Sequence, residues 1–278
     1  MTIATIMVSL AFAQSNDARL AITGELAERF EASVIGVAAA QFTPPLYFTT
    51  GEQAQDLIDQ GEAAVRDRLA ELETQFRAAI SDRARAVGWR SALDYPARHV
   101  LSQVRAADLL VTGGQSPAFS DAFTQASPKD LVLQAGRPLL VVPDNANWLD
   151  LRTALVGWKD TPEARRAIAG ALPFLRKARN VAVAEVLEDR TEREAAEARL
   201  ADVAGWLFRH GVTASVRVAE PPGDGRDVAT ELEAIADDVS AGLVVAGAYG
   251  HSRFRELILG GVTQHLVSRA SRCVLLSH

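Results

Sequence analysis

The amino-acid sequence contains two copies of one pattern, and this internal repeat constrains the fold more than any other feature. The segment "ADLLVTGG" at 107–114 resembles "AGLVVAGA" at 241–248. Two further pairs occur in the same order in both halves, namely "NDARLAI" with "PEARRAI" and "LVLQAGRPLLVV" with "LVSRASRCVLLS". The order indicates a duplicated domain, which predicts one domain over 1–144 and a second over 151–278. The Pro- and Asn-containing stretch "PDNANWLD" at 143–150 is typical of a linker between them.

Each half alternates apolar strands with helices. In the second half, short apolar runs such as "NVAVAEV", "AGLVVAG" and "CVLLS" are separated by helical segments, of which "PEARRAIAGALPFLRKA" is amphipathic. Short apolar strands are expected where helices cover both faces of a parallel sheet. The pattern predicts two doubly wound α/β domains, each with a five-stranded, mostly parallel sheet. The first half carries an insertion at 41–55 before a long helix predicted over 56–88.

Composition and charge exclude several classes of protein. The chain of 278 residues is 48% hydrophobic and 23% charged, which is normal for a globular protein. A net charge of −6 argues against binding nucleic acid through a basic face. The one cysteine, Cys273, excludes an internal disulfide and a cysteine-only zinc site. We expect Cys273 to lie in the core, because it begins the apolar strand "CVLLS".

The segment "MTIATIMVSLAFAQ" at the start of the sequence has two interpretations. Its apolar run and "AFA" triplet resemble a secretory signal, but no Lys or Arg precedes Arg19. The alternative is a first buried strand, "IATIMVSL", which we favour. No segment approaches the run of about 18 apolar residues that a membrane span needs. These features predict a cytoplasmic protein without membrane contact.

Glycines cluster in "GAYGHSRFRELILGG", at 247–261, directly after a predicted buried strand. In open α/β sheets, ligands bind beyond the carboxyl ends of the strands where strand order reverses. Glycine there allows backbone N–H groups to approach an anion. Gly260 and Gly261 precede the helix "VTQHLVSRA", whose first N–H groups would complete a phosphate cradle. With Arg253 and Arg255 between, the segment suits a di- or triphosphate, although turn glycines and solvated arginines remain the alternative.

With these motifs, nearly the whole chain resembles a tandem universal stress protein, with two such domains in one polypeptide. The nucleotide-binding branch of that family carries G-x2-G-x9-G-[S/T] after strand four. Gly247, Gly250 and Gly260 match this spacing, whereas Gly261 stands where Ser or Thr is usual, with Thr263 nearby. The resemblance implies layering like that of flavodoxin or of the adenine nucleotide alpha hydrolases. It also implies ATP, or ADP or AMP, as ligand.

The resemblance implies further site residues around the nucleotide base. The family's Asp after strand one falls on Lys159, with Asp160 next to it. Either a shift of one residue restores the carboxylate, and with it a place for Mg²⁺, or the carboxylate is absent and recognition of the base is altered. Gly157 and Trp158 would lie beside the base and Val186 against its face. His251 follows the second glycine and is read either as a site residue or as a surface residue. The candidate nucleotide-binding residues are therefore Gly157, Trp158, Lys159, Asp160, Val186, Gly247, Gly250, His251, Arg253, Gly260, Gly261, Val262 and Thr263.

The first half lacks the complete glycine signature. Gly113 and Gly114 remain, but Pro117 occupies the position of the second glycine and removes a backbone donor. We therefore expect this half to bind no nucleotide and to serve as a structural partner, with a different pocket under the insertion at 41–55.

Three hypotheses for function follow. The first is a stress-response or signalling module that binds an adenine nucleotide in its second half and changes its shape or its protein partners. The second is a ligand-free structural or interaction protein, and the third is a weak ATPase. No catalytic constellation is evident, because "GQS" lacks the full nucleophile elbow and no Walker A lysine follows the glycines. The two halves are expected to pack as a pseudo-dimer through their fifth strands, and a further homodimer would be compatible with this arrangement.

Overall fold

The computed structural model describes residues 2–43, 51–114, 121–222, 227–248, 261–269 and 271–278. In the first half, strands and helices alternate in the order β1 (Thr5–Ser9), α1 (Asp17–Phe30), β2 (Ser33–Ala40), α2 (Gly51–Ile80), β3 (Val87–Leu93), α3 (Pro96–Gln103), β4 (Leu109–Gly113), α4 (Pro128–Gln134) and β5 (Leu139–Val142). The second half repeats this order with β6 (Thr153–Gly157), α5 (Pro162–Leu175), β7 (Asn180–Val186), α6 (Arg193–Arg209), β8 (Ala214–Ala219), α7 (Val228–Asp238), β9 (Leu243–Gly247), α8 (Gly261–Ser268) and β10 (Cys273–Ser277).

All ten of these strands form one continuous sheet in the order β3-β2-β1-β4-β5-β10-β9-β6-β7-β8. Within each half the neighbours are parallel. At the centre β5 and β10 pair antiparallel, with Leu140 opposite Leu275. The predicted doubly wound fold and the pairing of the fifth strands are thus confirmed. Pairing β5 with β10 also covers the sheet edge that each half would otherwise expose.

Helices cover both faces of the sheet, and each face has its own apolar cluster. On one face α1, α2, α5 and α6 contribute Leu26, Phe76, Ile168 and Leu200. On the other face α3, α4, α7 and α8 contribute Val100, Leu131, Ile235 and Leu266. Each cluster contains residues from both halves, so the halves share their core. None of the helices in the described part of the chain is both long and apolar enough to cross a membrane.

The apolar segment near the start of the sequence is a central strand. Ile6, Met7 and Val8 are fully buried in β1. This strand pairs with β2 on one side and with β4 on the other. The interpretation as a buried strand is therefore confirmed.

Local signals in the sequence set several helix ends. The Thr161 hydroxyl accepts from the N–H of Ala164 at the start of α5, at 3.3 Å. Asp227 caps α7 in the same way through the N–H of Thr230, at 2.8 Å. Gly211, with a φ of +78°, follows the end of α6 in the left-handed conformation that glycine adopts most readily.

The long helix predicted over 56–88 is wrong at both ends. The helix α2 already begins at Gly51, inside the insertion at 41–55, and it ends at Ile80. Its buried stripe stops there, with Phe76 and Ile80 as the last fully buried residues. After a turn, Val87 begins β3 by pairing with Val34. Residues 81–86 form turns and bends, and Val87 and Gly88 belong to β3.

Candidate functional site

The candidate site lies where the strand order reverses in the second half. From β6 the chain goes to β7 on one side, whereas β9 pairs with β6 on the other. Gly157, the last residue of β6, lies opposite Ala246 of β9. The carboxyl ends of β6 and β9 thus border the crevice in which doubly wound domains bind ligands.

Gly247, the last residue of β9, is in close contact with the start of α5. A Cβ added at Gly247 would lie 2.5 Å from the backbone N of Ala164 and 2.8 Å from the carbonyl carbon of Glu163. Backbone atoms cannot rotate away from such a contact. A side chain at this position would therefore push α5 off the sheet, which gives Gly247 a packing role whether or not a ligand binds.

Gly157 and Val186 lie on the same face of the sheet. A Cβ on Gly157 would come within 2.9 Å of a methyl carbon of Leu232 on α7. Val186, at the end of β7, packs against the α7 and α8 cluster, as does Val262. The structure therefore brings Gly157, Val186 and Val262 to one side of the crevice.

Trp158 is held on the opposite face. Its backbone N–H donates to the carbonyl of Ala184 at 2.7 Å, and its indole, 8% exposed, packs in the cluster that contains α5. The indole Nε1 has no hydrogen-bond partner among the residues described. A buried N–H without an acceptor is unfavourable.

The two charged residues after β6 are both engaged in ion pairs. Lys159 Nζ pairs with Glu188 Oε1 after β7. Asp160 Oδ1 lies 2.6 Å from Nη2 of Arg165 on the first turn of α5. Within the described ranges, no three carboxylate, histidine or cysteine side chains are grouped to hold a metal ion.

The helix α8 begins at Gly261, which is exposed. Among the described residues, no atom lies within 4 Å of the position that a Cβ at Gly261 would take. Thr263 is buried, and His265 Nε2 lies 3.0 Å from Glu233 Oε2 on α7. The first turn of a helix has N–H groups without intrahelical partners, so this end of α8 is electrostatically suited to a phosphate.

Part of the predicted signature falls outside the described residues, namely Gly250, His251, Arg253, Arg255 and Gly260. The same holds for Pro117 in the first half. Of the four signature positions, the structure describes the first and the last, which are occupied by Gly247 and Gly261.

One contact at the site was not anticipated from the sequence. His278 Nδ1 lies 3.0 Å from the carbonyl oxygen of Ala248, and Ala248 N–H donates to Ser277 at 2.8 Å. The residue directly after β9 is therefore held by β10 and by His278. The parallel register of β9 with β10, in which Gly247 lies opposite Ser277, is the signal that could have indicated it.

The pocket expected under the insertion at 41–55 stays a prediction, because residues 44–50 lie outside the described residues; a cavity in the first half lies elsewhere, beside α2. A cavity of about 300 Å³ lies between α2 and β3, with Arg66 and Glu73 from the helix and Trp89 and Ser91 from the strand among its lining residues. It lies along α2 and the edge strand β3.

The fold defines a class of α/β proteins in which two doubly wound units join through their fifth strands. Residues 151–278 match the profile of the universal stress protein family, and this half of the chain is therefore a universal stress protein domain. None of the curated proteins compared matches the chain.

The whole chain shares its fold with solved structures of similar length. A universal stress protein from Archaeoglobus fulgidus DSM 4304 is 15% identical, with a TM-score of 0.65 over 98% of this chain and 97% of that one. A putative universal stress protein from Pseudomonas aeruginosa UCBPP-PA14 is 16% identical, with a TM-score of 0.61 over 99% of this chain and 93% of that one.

A shorter solved structure matches less than half of the chain. It is a universal stress protein from Archaeoglobus fulgidus in complex with dAMP, which is 18% identical and covers 46% of this chain and 98% of its own, with a TM-score of 0.36.

Proposed function

We propose that the chain acts as a tandem universal stress protein whose second half binds an adenine nucleotide, namely ATP, ADP or AMP. The observation that carries the proposal is the position of Gly247 and Gly261. Gly247 is the first glycine of the signature and ends β9, whereas Gly261, which replaces the Ser or Thr that usually ends the signature, begins α8. Both belong to the half that matches the family.

The phosphates bind at the start of α8 in this proposal. The first-turn N–H groups and the positive end of the helix dipole attract them. Among the described residues, no atom comes within 4 Å of where a Cβ on Gly261 would be, which is consistent with room for a phosphoryl group. The glycines Gly250 and Gly260 complete the cradle.

The adenine and ribose lie over the carboxyl end of β6 in this proposal. Gly157 and Val186 provide an apolar surface on the α7 side, and Trp158 closes the crevice from the α5 side and offers its unpaired Nε1–H as a donor. Asp160 would have to exchange Arg165 for a Mg²⁺ ion carried by a triphosphate. The ligand would alter the loop between β9 and α8, and through it the surface offered to a signalling partner or to a second copy of the chain in the cytoplasm.

The first experiment is to denature freshly purified protein, identify released nucleotides by mass spectrometry, and titrate nucleotide-free protein with ATP, ADP and AMP. We expect about one adenine nucleotide bound per chain, because the first half has Pro117 in place of the second glycine. The Gly250→Val variant should lose this binding. Gly205→Val is the matched control, since Gly205 lies on α6, where a Cβ has ordinary contacts. Equal affinity in both variants would place the ligand elsewhere.

A second candidate is a ligand-free interaction protein. It is favoured by the Asp160–Arg165 ion pair and by Gly261, which lacks the hydroxyl usual at that position. Absence of nucleotide after purification, together with no heat of binding for ATP with Mg²⁺, would favour it. Slow ATP hydrolysis would support the ATPase hypothesis only if it persists through purification and is lost in Gly250→Val.

A further inference from the structure

The first half has its own strand reversal, between β1 and β4, and the guanidinium of Arg19 lies there. Its Nη1 donates to the carbonyl of Ser9, the last residue of β1, at 3.1 Å. A Cβ added at Gly113, the last residue of β4, would lie 2.2 Å from Nη2 and 2.7 Å from Cζ of Arg19. The missing side chain of Gly113 therefore makes room for the guanidinium at the carboxyl ends of both strands.

The Arg19 side chain is buried without being fully paired. The residue is 3% exposed, and Nη2 has no hydrogen-bond partner within the part of the chain that the structure describes. Burial lowers the pKa of Arg19 to about 10, while the charge of Asp144 acts in the opposite direction. At neutral pH the group stays charged, so a cation with unused donors lies in the interior, which is strongly unfavourable unless a counter-charge is present.

The corresponding arginine of the second half has a different environment. Arg19 in "NDARL" aligns with Arg165 in "PEARR". Arg165 is exposed and pairs with Asp160. In the second half the space over Gly247 is filled by the backbone of Ala164, whereas over Gly113 it is filled by the guanidinium. A buried arginine at the strand ends is therefore found in the first half and not at the equivalent position of the second half.

The start of α1 is not a second source of free donors. The Asn16 side chain does not cap α1, because its amide and carbonyl both bond to the backbone of Ala11 at 3.0 and 2.9 Å. The N–H of Asp17 instead donates to Ser15 Oγ at 3.1 Å, and the exposed Asp17 carboxylate places a negative charge in the first turn. The unused donor at this position is therefore Nη2 of Arg19.

We propose that the first half binds a small oxyanion, a carboxylate or a phosphoryl group, on Nη2 of Arg19 between the carboxyl ends of β1 and β4. The planar guanidinium presents paired donors that match either kind of anion. A bound anion would both fill the unused donors and neutralise the buried charge. Asp144, exposed just after β5, is the competing internal carboxylate, so its charge weakens binding of a free anion. This site is in the other half from the proposed nucleotide site and does not depend on it.

The test is a titration of the full chain with sodium phosphate and, separately, sodium acetate, at constant ionic strength maintained with chloride. Binding is followed by the side-chain ¹⁵N resonance of the Arg19 guanidinium and by the unfolding temperature. The variants are Arg19→Met, Gly113→Ala, Asp144→Asn and the control Arg66→Met, an exposed arginine of the same half that pairs with Glu62. An apolar chain of similar length in place of a buried cation is often tolerated or stabilising, so Arg19→Met should fold.

We expect a saturable response to phosphate, acetate or both in the wild type and in Arg66→Met. Affinity should fall at least about tenfold in Arg19→Met, because a charged hydrogen bond is lost. It should also fall in Gly113→Ala, where the new Cβ displaces the guanidinium, and rise in Asp144→Asn. A response to phosphate alone identifies a phosphoryl site, and a response to acetate alone a carboxylate site.

The proposal is overturned if the wild type shows no saturable response to either anion, or if Arg19→Met responds as the wild type does. It is also overturned if Asp144→Asn by itself shifts the ¹⁵N resonance of the Arg19 guanidinium and no added anion shifts that resonance further. In that case Asp144 itself is the counter-ion in solution.

Discussion

The ring of Phe30, at the end of α1, contacts the ring of Phe174, near the end of α5, edge to face with centroids 5.3 Å apart. The two helices belong to different halves of the chain. Lys177 Nζ lies 5.4 Å from the centroid of the Phe30 ring and adds a cation–π contact. Edge-to-face aromatic pairs are favourable beyond the area they bury. The halves are therefore joined by helix packing as well as by the β5–β10 pair.

The Phe174→Ala variant should lose about 3–5 kcal/mol of unfolding free energy, since Phe174 is fully buried. Urea unfolding followed by circular dichroism measures it. Phe208, on α6 and 71% exposed, provides the control, and Phe208→Ala should change stability by less than about 0.5 kcal/mol. Equal losses in the two variants would contradict a packing role for the Phe30–Phe174 pair.

The Gly247→Ala variant should be destabilised by about 1–3 kcal/mol, because its methyl group would overlap the backbone of Ala164. Gly205→Ala on α6 should instead gain about 0.5–1 kcal/mol, since alanine favours a helix and a Cβ there makes only an ordinary contact, 3.6 Å from Nη1 of Arg209. Thermal unfolding of the two variants side by side tests this. A stable Gly247→Ala variant would show that the close approach of α5 to β9 can relax.

Substitutions at Gly261 should change nucleotide affinity without disturbing the fold, because the residue is exposed. Gly261→Asp should weaken ATP binding at least about tenfold through repulsion between the carboxylate and the phosphates. Gly261→Ser should strengthen it by restoring a hydroxyl, and Gly261→Ala should leave it nearly unchanged. Calorimetric titration of the three variants measures these effects, and an ATP affinity independent of the charge at 261 would remove α8 from the proposed site.

His99 should make the protein less stable as the pH falls below the ordinary histidine pKa of 6.5. Burial lowers the pKa of His99 in the folded protein, and its Nε2 has no partner in the described part of the chain. In the unfolded chain the ring therefore takes up a proton at a higher pH, which favours unfolding as the pH drops, by at most about 1.4 kcal/mol per pH unit. Above 6.5 the ring is neutral in both states and the effect is absent.

The measurement is the unfolding free energy of the wild type and of His99→Gln between pH 8 and pH 5. The difference in unfolding free energy between the wild type and His99→Gln should be constant above the ordinary histidine pKa and should become smaller below that pKa. A difference that does not vary with pH would mean that His99 is protonated equally well in the folded protein.

Cys273 should not react with thiol reagents in the native protein. It is buried at the start of β10, and burial raises the pKa of its thiol to about 12, so almost no thiolate is present at neutral pH. A disulfide-exchange reagent should titrate no thiol in the native protein and one per chain in denaturant. Rapid native labelling would indicate that β10 opens readily.

The strands and their arrangement were predictable because apolar runs and the repeat are recorded directly in the sequence. The meeting of β5 and β10 followed from two similar apolar segments that both needed a covered edge. The end of α2 at Ile80 was not predictable in the same way, because the polar segment after it suits a helix and only pairing with Val34 selects a strand.

At the candidate site, the sequence indicated where the glycines lie along the chain, but it did not indicate which residues they contact. The segments "NDAR" and "PEAR" are nearly identical, yet Arg19 is buried and Arg165 is exposed. The two arginines differ because of what fills the space over the glycine that ends a neighbouring strand. Over Gly113, at the end of β4, it is the side chain of Arg19, and over Gly247, at the end of β9, it is the backbone of Ala164. That depends on distances between distant parts of the chain, which local sequence does not contain.

The antiparallel pairing of β5 with β10 reverses the direction of one half relative to the other. The carboxyl ends of β1 and β4 therefore open at one pole of the molecule, and those of β6 and β9 at the opposite pole. A small ligand bound at one pole cannot reach the other. Because one hydrogen-bonded sheet runs between the poles, the two strand-end crevices lie at opposite edges of the same sheet and face in opposite directions.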